Sequence, residues 1–129
     1  MRLKLRRSGM SVREIAYADI YPWPVDKLAV MVKGNTFPIK DKLKREGFRW
    51  KFITPFSGAW VLITNAERKH YPCYAEILLG VPIIAEKLKR VGVKYVRATT
   101  SREAECVVNA GFTPIDVSYG KVYIWEREE

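Results

Sequence analysis

Three times the chain spells out a helix that a glycine stops and a strand then follows. That grammar confines it to an α+β fold. The two fullest versions are Lys42-Leu43-Lys44-Arg45-Glu46-Gly47-Phe48-Arg49-Trp50 and Lys87-Leu88-Lys89-Arg90-Val91-Gly92-Val93-Lys94-Tyr95, at an offset of 45 residues. Each is the end of a basic helix, a glycine suited to the left-handed cap position, and a strand entered through a basic–aromatic pair. Helix-stop chemistry accounts for the echo, because Leu, Lys, Arg and Gly are what such ends favour; an internal duplication is the alternative. The third version, with Gly111 after Ala104, Val107 and Val108, shares the glycine but not the cations.

The rest of the chain fills in around these stops. Residues 2–6 alternate and read as a short edge strand. Ser11 with Glu14 three residues on forms a capping box, which predicts a short helix to about Ala18. Pro22 and Pro24 on either side of Trp23 break any regular element. Residues 27–33 read as a strand with Leu28, Val30 and Val32 apolar. Thr36 is the expected cap, and Pro38 the first turn, of a helix to about Glu46 that buries Ile39 and Leu43. Strands are expected over 48–53 and 59–64, about a turn at 54–58. Helices follow at 74–79 and from Pro82, the latter with Ile84, Leu88 and Val91 on one face. Then come a strand over 93–99, a second capping box at Thr100 and Glu103, and a hairpin of 115–119 with 121–125 about Gly120. The tail 126–129 is polar. The sum is one α+β domain: a mixed, largely antiparallel sheet flanked by helices, β-α-β-β over 28–64 and α-β-α-β-β over 74–126.

Composition narrows the function classes. The chain has 129 residues, 48% of them hydrophobic, enough for one cored domain and unlike a disordered segment. No run approaches the ~20 apolar residues of a membrane span, and the basic start lacks the apolar core of a secretory signal. A cytoplasmic protein with no membrane role is expected. The single histidine, His70, has no partners that would complete a zinc site, and Cys73 and Cys106 lack a C-x-x-C neighbour. No metal and no cofactor are expected, and the two cysteines are read as buried thiols, with a disulfide as the alternative. No phosphate-binding glycine loop and no nucleophile elbow occurs, so a catalytic role is not expected.

The net charge is +9, from 23 basic and 14 acidic residues. Basic residues cluster at 1–13, 33–51 and 87–102, which together hold 18 of the 23. Clustering of this kind builds a positive field that recruits polyanions. A heat-adapted surface is the plainer explanation, but such surfaces carry matching glutamates. The densest stretch is 33–60, where Lys33, Lys40, Lys44, Arg49 and Lys51 alternate with Phe37, Trp50, Phe56 and Trp60. Cations hold phosphates and flat rings stack on unpaired bases without regard to sequence. These nine residues are the candidate contacts for single-stranded DNA or RNA, with a homo-oligomer as a further possibility. The competing expectation is that in the row Phe48, Trp50 and Phe52, on one strand face, Trp50 and at least one of its neighbours are mainly core.

Residues 34–50, from Gly34 through Asn35-Thr36-Phe37-Pro38-Ile39-Lys40 to Gly47-Phe48-Arg49-Trp50, together with Trp60, resemble a small domain of prokaryotic DNA-associated proteins. They are also similar to the core of the archaeal ThermoDBP single-strand DNA-binding family, over about residues 28–64. The resemblance implies a cleft lined by rings and cations. In many relatives an acid follows the tryptophan; here it is Lys51. Residues 65–129 do not match that family's helical oligomerisation tail. The stretch from 77 to 126 instead resembles the last part of a GNAT-fold acetyltransferase. That family grips acyl-CoA with backbone N–H groups of a glycine loop. The matching positions here are Ile77, Gly80 and Pro82, and Val107 stands where a general-acid tyrosine is usual. The resemblance thus implies the topology without the chemistry. A nuclease accessory or ribosome-binding module is the remaining class.

Overall fold

A computed structural model describes residues 6–11, 13–98, 100–118 and 120–124. The expected strand over 2–6 and the polar tail fall almost wholly outside these residues. The strands are β1 (Arg6–Ser11), β2 (Ala16–Tyr21), β3 (Lys27–Gly34), β4 (Arg49–Thr54), β5 (Ser57–Glu67), β6 (Tyr95–Arg97), β7 (Thr113–Ser118) and β8 (Gly120–Ile124). The helices are α1 (Lys40–Arg45), α2 (Ile77–Gly80), α3 (Pro82–Val91) and α4 (Ser101–Asn109). All eight strands join one mixed sheet in the order β1-β7-β8-β6-β2-β3-β5-β4. The β1/β7 and β2/β6 pairs are parallel and the others antiparallel. The expected α+β class is therefore the observed one.

β3 sits between β2 and β5, and its residues 28–32 are buried without a break. A strand covered on both faces gains from apolar side chains at every position, which is why no alternation is visible there. Leu28, Val30 and Val32 join Leu43 of α1, Ile77 and Leu78 of α2, Ile84, Leu88 and Val91 of α3 and Val107 of α4 in the main core. Truncating a fully buried leucine such as Leu43 or Leu88 to alanine costs about 2–5 kcal/mol at sites of this kind. Two smaller clusters lie on the other face of the sheet: Ala29, Met31, Ala59 and Val61 with Tyr21, and Ile15, Tyr17, Ile115 and Val122 with Tyr95. No described helix contributes to either. Among the described residues the helices cover one face and leave the other open.

The glycine stops behave alike. Phe48 N–H donates to the Leu43 carbonyl at 3.0 Å, Val93 to Leu88 at 2.9 Å, and Phe112 to Val107 at 3.2 Å. Gly47 and Gly92 take φ of +93° and +84°, which a side chain disfavours. The same closure at Gly111, without the lysines and arginines, shows that helix-stop chemistry alone suffices for the echo. Thr100 caps α4 as expected, accepting from Glu103 N–H at 3.1 Å.

Four expectations are corrected. The helix read from Ser11 does not form. Its capping box closes, with Ser11 N–H on Glu14 Oε2 at 3.1 Å and Arg13 N–H on Ser11 Oγ at 3.2 Å, but it closes a turn. Beyond it the Tyr17, Asp19, Tyr21 alternation places the chain in β2, where a neighbour on each side outweighs a local signal. Thr36 makes no cap bond; its Oγ1 accepts instead from Trp60 Nε1 at 3.2 Å. β5 runs to Glu67, three residues past the expected strand, because its far half pairs with β3. Cys73 and Cys106 are joined by a disulfide rather than left as thiols, their Cα atoms being 6.1 Å apart, so the start of the α2 region is pinned to α4.

Candidate nucleic-acid interface

β4 is the last strand of the sheet, and all six of its residues are exposed. Cross-strand pairs share a face. Trp50 lies opposite Trp60 and Phe52 opposite Gly58, on the helix side. Arg49 lies opposite Val61 and Lys51 opposite Ala59, on the open side. Rings and cations therefore meet at one edge but project from its two faces.

On the helix side Trp60 is 6% exposed, with its indole N–H spent on Thr36. Trp60 is thus a core ring and leaves the set of candidate stacking residues. Burying an indole with its N–H satisfied is the usual condition for a tryptophan in a core. Trp50 packs edge-on against it at 5.5 Å between centroids and against Phe52 at 6.1 Å, yet stays 46% exposed. The expectation that Trp50 and at least one of its neighbours would be mainly buried fails for Trp50; of the neighbours, Phe48 is buried and Phe52 is exposed. Among the described residues β4 has no strand beyond it, so the Trp50 and Phe52 rings lie at the rim of the core. Gly58 matters here, because a Cβ at that position would strike the Trp50 ring. The bare backbone of Gly58 is what lets Trp50 lie flat on β5. Phe37, in a 3-10 turn held to the sheet by Thr36, is 74% exposed with Lys40 Nζ over its ring at 4.4 Å. Phe56, at the tip of the β4–β5 hairpin, is 98% exposed.

On the open side Lys51 Nζ lies over the Trp23 ring at 4.9 Å. Trp23 comes from the loop after β2, so residues far apart in sequence meet there. Further along this face stand Tyr17, Tyr21, Tyr95 and Arg97. Arg97 donates to the Tyr17 hydroxyl at 3.2 Å, and its guanidinium lies 5.6 Å from that ring. None of these five is among the nine contacts expected from the sequence. Reading Ser11 as a helix start hid the alternation of Tyr17 and Tyr21.

The cations divide into two groups. Lys40, Lys42, Lys44, Arg45, Arg49 and Lys51 have no carboxylate within ion-pair reach among the described residues. Lys33, Lys87 and Arg90 do. Arg90 grips Glu46 through Nε at 2.7 Å and Nη2 at 3.0 Å, and Lys87 Nζ donates to the Glu46 carbonyl at 2.7 Å. The hydrogen bond from the Arg90 guanidinium holds the Glu46 carboxyl below the usual carboxylate range. This clasp ties the end of α1 to α3. Lys33, a candidate phosphate contact from the sequence, is corrected to an internal role. Its Nζ lies 3.3 Å from Asp19 Oδ2 and donates to the Tyr21 hydroxyl at 2.8 Å. Burial pushes Asp19 above the ordinary carboxylate range against the pull of Lys33. Burial pulls the Lys33 ammonium down, and its bonds to Tyr21 and Asp19 outweigh that and hold it up. The two shifts oppose each other over the charge of the pair; Asp19 is the deeper group, so its direction is set by burial.

Among the described residues no group of three or more His, Cys, Asp and Glu gathers that could hold a metal ion, and no helix is long and apolar enough to cross a membrane. In the stretch resembling an acyl-CoA loop, Ile77 is fully buried and Pro82 opens α3 without an N–H to donate.

These features define a two-layer α+β domain whose sheet ends in a cationic, ring-bearing edge. No protein-family model matches the chain, and no curated protein or solved structure does either.

Proposed function

We propose that this chain binds single-stranded nucleic acid, DNA or RNA, along the β4 edge and with little regard to sequence. The observation that carries the reading is the convergence at that edge. Cations from α1 and β4 without carboxylate partners among the described residues stand beside exposed rings from three segments, with Lys40 over Phe37 and Lys51 over Trp23. A duplex keeps its base faces stacked and has nothing to offer those rings, whereas an unpaired strand offers both phosphates and base faces. In this reading Lys40, Lys44, Arg49 and Lys51 contact phosphates, and Phe37, Trp50 and Phe56 supply stacking surfaces. The likeness of residues 28–64 to the ThermoDBP family points the same way. A nucleic-acid ligand and the lack of any long apolar helix among the described residues suit a cytoplasmic location.

The test is a fluorescence titration of a labelled oligo-dT at two salt concentrations, with a duplex of equal length as comparison. Binding of the single strand that weakens as salt rises supports the reading. Equal or tighter binding of the duplex, or no binding at low salt, refutes it.

A further inference from the structure

The neighbouring parallel strands β2 and β6 part company in the middle of the sheet. Their pairing covers Tyr17 with Tyr95 and Ala18 with Val96 and then stops. Beyond it Arg97 still pairs with Val122 of β8, and β2 still pairs with β3 as far as Tyr21. A cleft opens between their carboxyl ends, next to the first turn of α4. In open α/β sheets, crevices outside the carboxyl ends of parallel strands are where ligands bind. The cleft holds a cavity of about 290 Å³.

Its chemistry is unusual for so basic a protein. Asp19 and Glu103 both line it, together with Arg97, Tyr21 and Tyr74. Asp19 is 5% exposed, and its contact is with Lys33 through Oδ2; no second donor reaches the carboxylate among the described residues. A buried carboxylate has room for several hydrogen bonds, and leaving them unmade is costly. The Asp19 carboxylate, with room for further donors, calls for a ligand bearing N–H groups and argues against a phosphate, while the phenols of Tyr21 and Tyr74 can donate or accept. Lys33 and Arg97 offset the acids, which argues against a cationic ligand. A neutral, flat group bearing donors fits both conditions, and the size suits one ring system, below the ~300–1,000 Å³ of a typical small-molecule site.

The cavity also adjoins the proposed strand path. Tyr21 and Pro22 line it, and the next residue is Trp23, under Lys51. We infer that the cleft between β2 and β6 receives one unpaired nucleobase of the bound strand, with guanine preferred, its N1–H and 2-amino group donating to the Asp19 carboxylate. The inference rests on the single-strand reading above and adds to it one position at which the base matters.

The experiment measures binding of the intact protein to a labelled dT 12-mer and to versions with one central guanine, hypoxanthine or adenine. Guanine should bind at least about fivefold tighter than all-thymine, in line with the discrimination of a carboxylate or amide reading a base edge. Hypoxanthine, which lacks the 2-amino group, should fall between. Asp19→Asn should remove the preference while leaving dT binding in place. Since Asp19→Asn also disturbs the pair with Lys33, the guanine-to-hypoxanthine ratio on the unaltered protein is the primary readout. Equal affinity for all four strands overturns the base pocket and leaves the single-strand reading intact. Failure to bind any strand overturns both.

Discussion

Replacing Arg49 and Lys51 together with alanine isolates the electrostatic part of the proposed interface. Both side chains lie on an exposed edge strand and make no ion pair among the described residues, so the fold should tolerate their loss. If Lys40, Lys44, Arg49 and Lys51 each neutralise one phosphate, the slope of log K against log salt is about −2.8, from roughly −0.7 per contact on a single strand. Raising salt from 50 to 200 mM would then weaken binding about 50-fold in the unaltered protein. With two contacts gone the slope becomes about −1.4 and the same change costs about sevenfold. The assay is fluorescence anisotropy with oligo-dT at four or five salt concentrations. The control is Lys87→Ala with Arg90→Ala, which removes the same formal charge from cations already committed to Glu46. That control should keep the slope and lower the unfolding midpoint. A slope unchanged by Arg49→Ala and Lys51→Ala, or changed equally by the control, refutes the assignment of phosphate contacts to β4.

The other predictions concern single features. Phe56→Ala should leave stability within about 0.5 kcal/mol, as at other open surface sites, and cost about 1–3 kcal/mol of oligo-dT affinity if the ring stacks on a base; unchanged affinity removes it from the interface. Thr36→Val leaves the buried Trp60 N–H without its acceptor and should cost about 1–3 kcal/mol in a urea melt. It should also loosen Phe37, so affinity falls with it; a neutral effect on the melt would show that the bond carries no weight. For Glu46, the folded pKa lies below the unfolded value near 4.5 because Arg90 bonds the carboxylate. Its contribution is therefore present above that unfolded value and lost as pH falls through the folded one. Glu46→Gln should accordingly destabilise at neutral pH and converge with the unaltered protein in acid. Asp19 has the opposite sign. Its folded pKa is raised above 3.8, so stability falls as pH rises through the window above that value, and Asp19→Asn should flatten the fall.

Signals confined to a few neighbouring residues were legible in the sequence. Gly47, Gly92 and Gly111 stop helices where their spacing predicts, and Pro82 and Thr100 open them. Leu28, Val30 and Val32 mark a strand over 27–33, and Lys27–Gly34 is one. What failed was whatever depends on partners elsewhere in the chain. Ser11 and Glu14 make the bonds of a helix cap, yet β3 and β6 hold the following residues extended. Trp50 and Trp60 look alike along the chain, and only the place of β4 at the end of the sheet decides that one is half open and the other buried. Lys33 reads as a free cation because Asp19, fourteen residues earlier, faces it only once β2 and β3 are paired.

The same point bears on what net charge can tell about a site. A count of 23 basic residues locates nothing, since a cation held by a carboxylate releases no counterion when a phosphate arrives. Glu46 removes Lys87 and Arg90 from the pool and Asp19 removes Lys33. The acids are thus not spread evenly against the bases. One of them fastens α1 to α3 and another lies under the sheet's open face, and neither opposes the cations of residues 40–51. The cations of α1 and β4 that make no ion pair among the described residues stand where those elements meet the sheet edge, which is also where the rings are exposed. Moving a carboxylate to that edge, as in Lys51→Glu, should therefore weaken binding more than Lys51→Ala does, whereas Lys89→Glu on the outer side of α3 should do little more than its alanine counterpart. Equal losses at the two positions would mean that the protein attracts nucleic acid by its total charge and has no defined path for the strand.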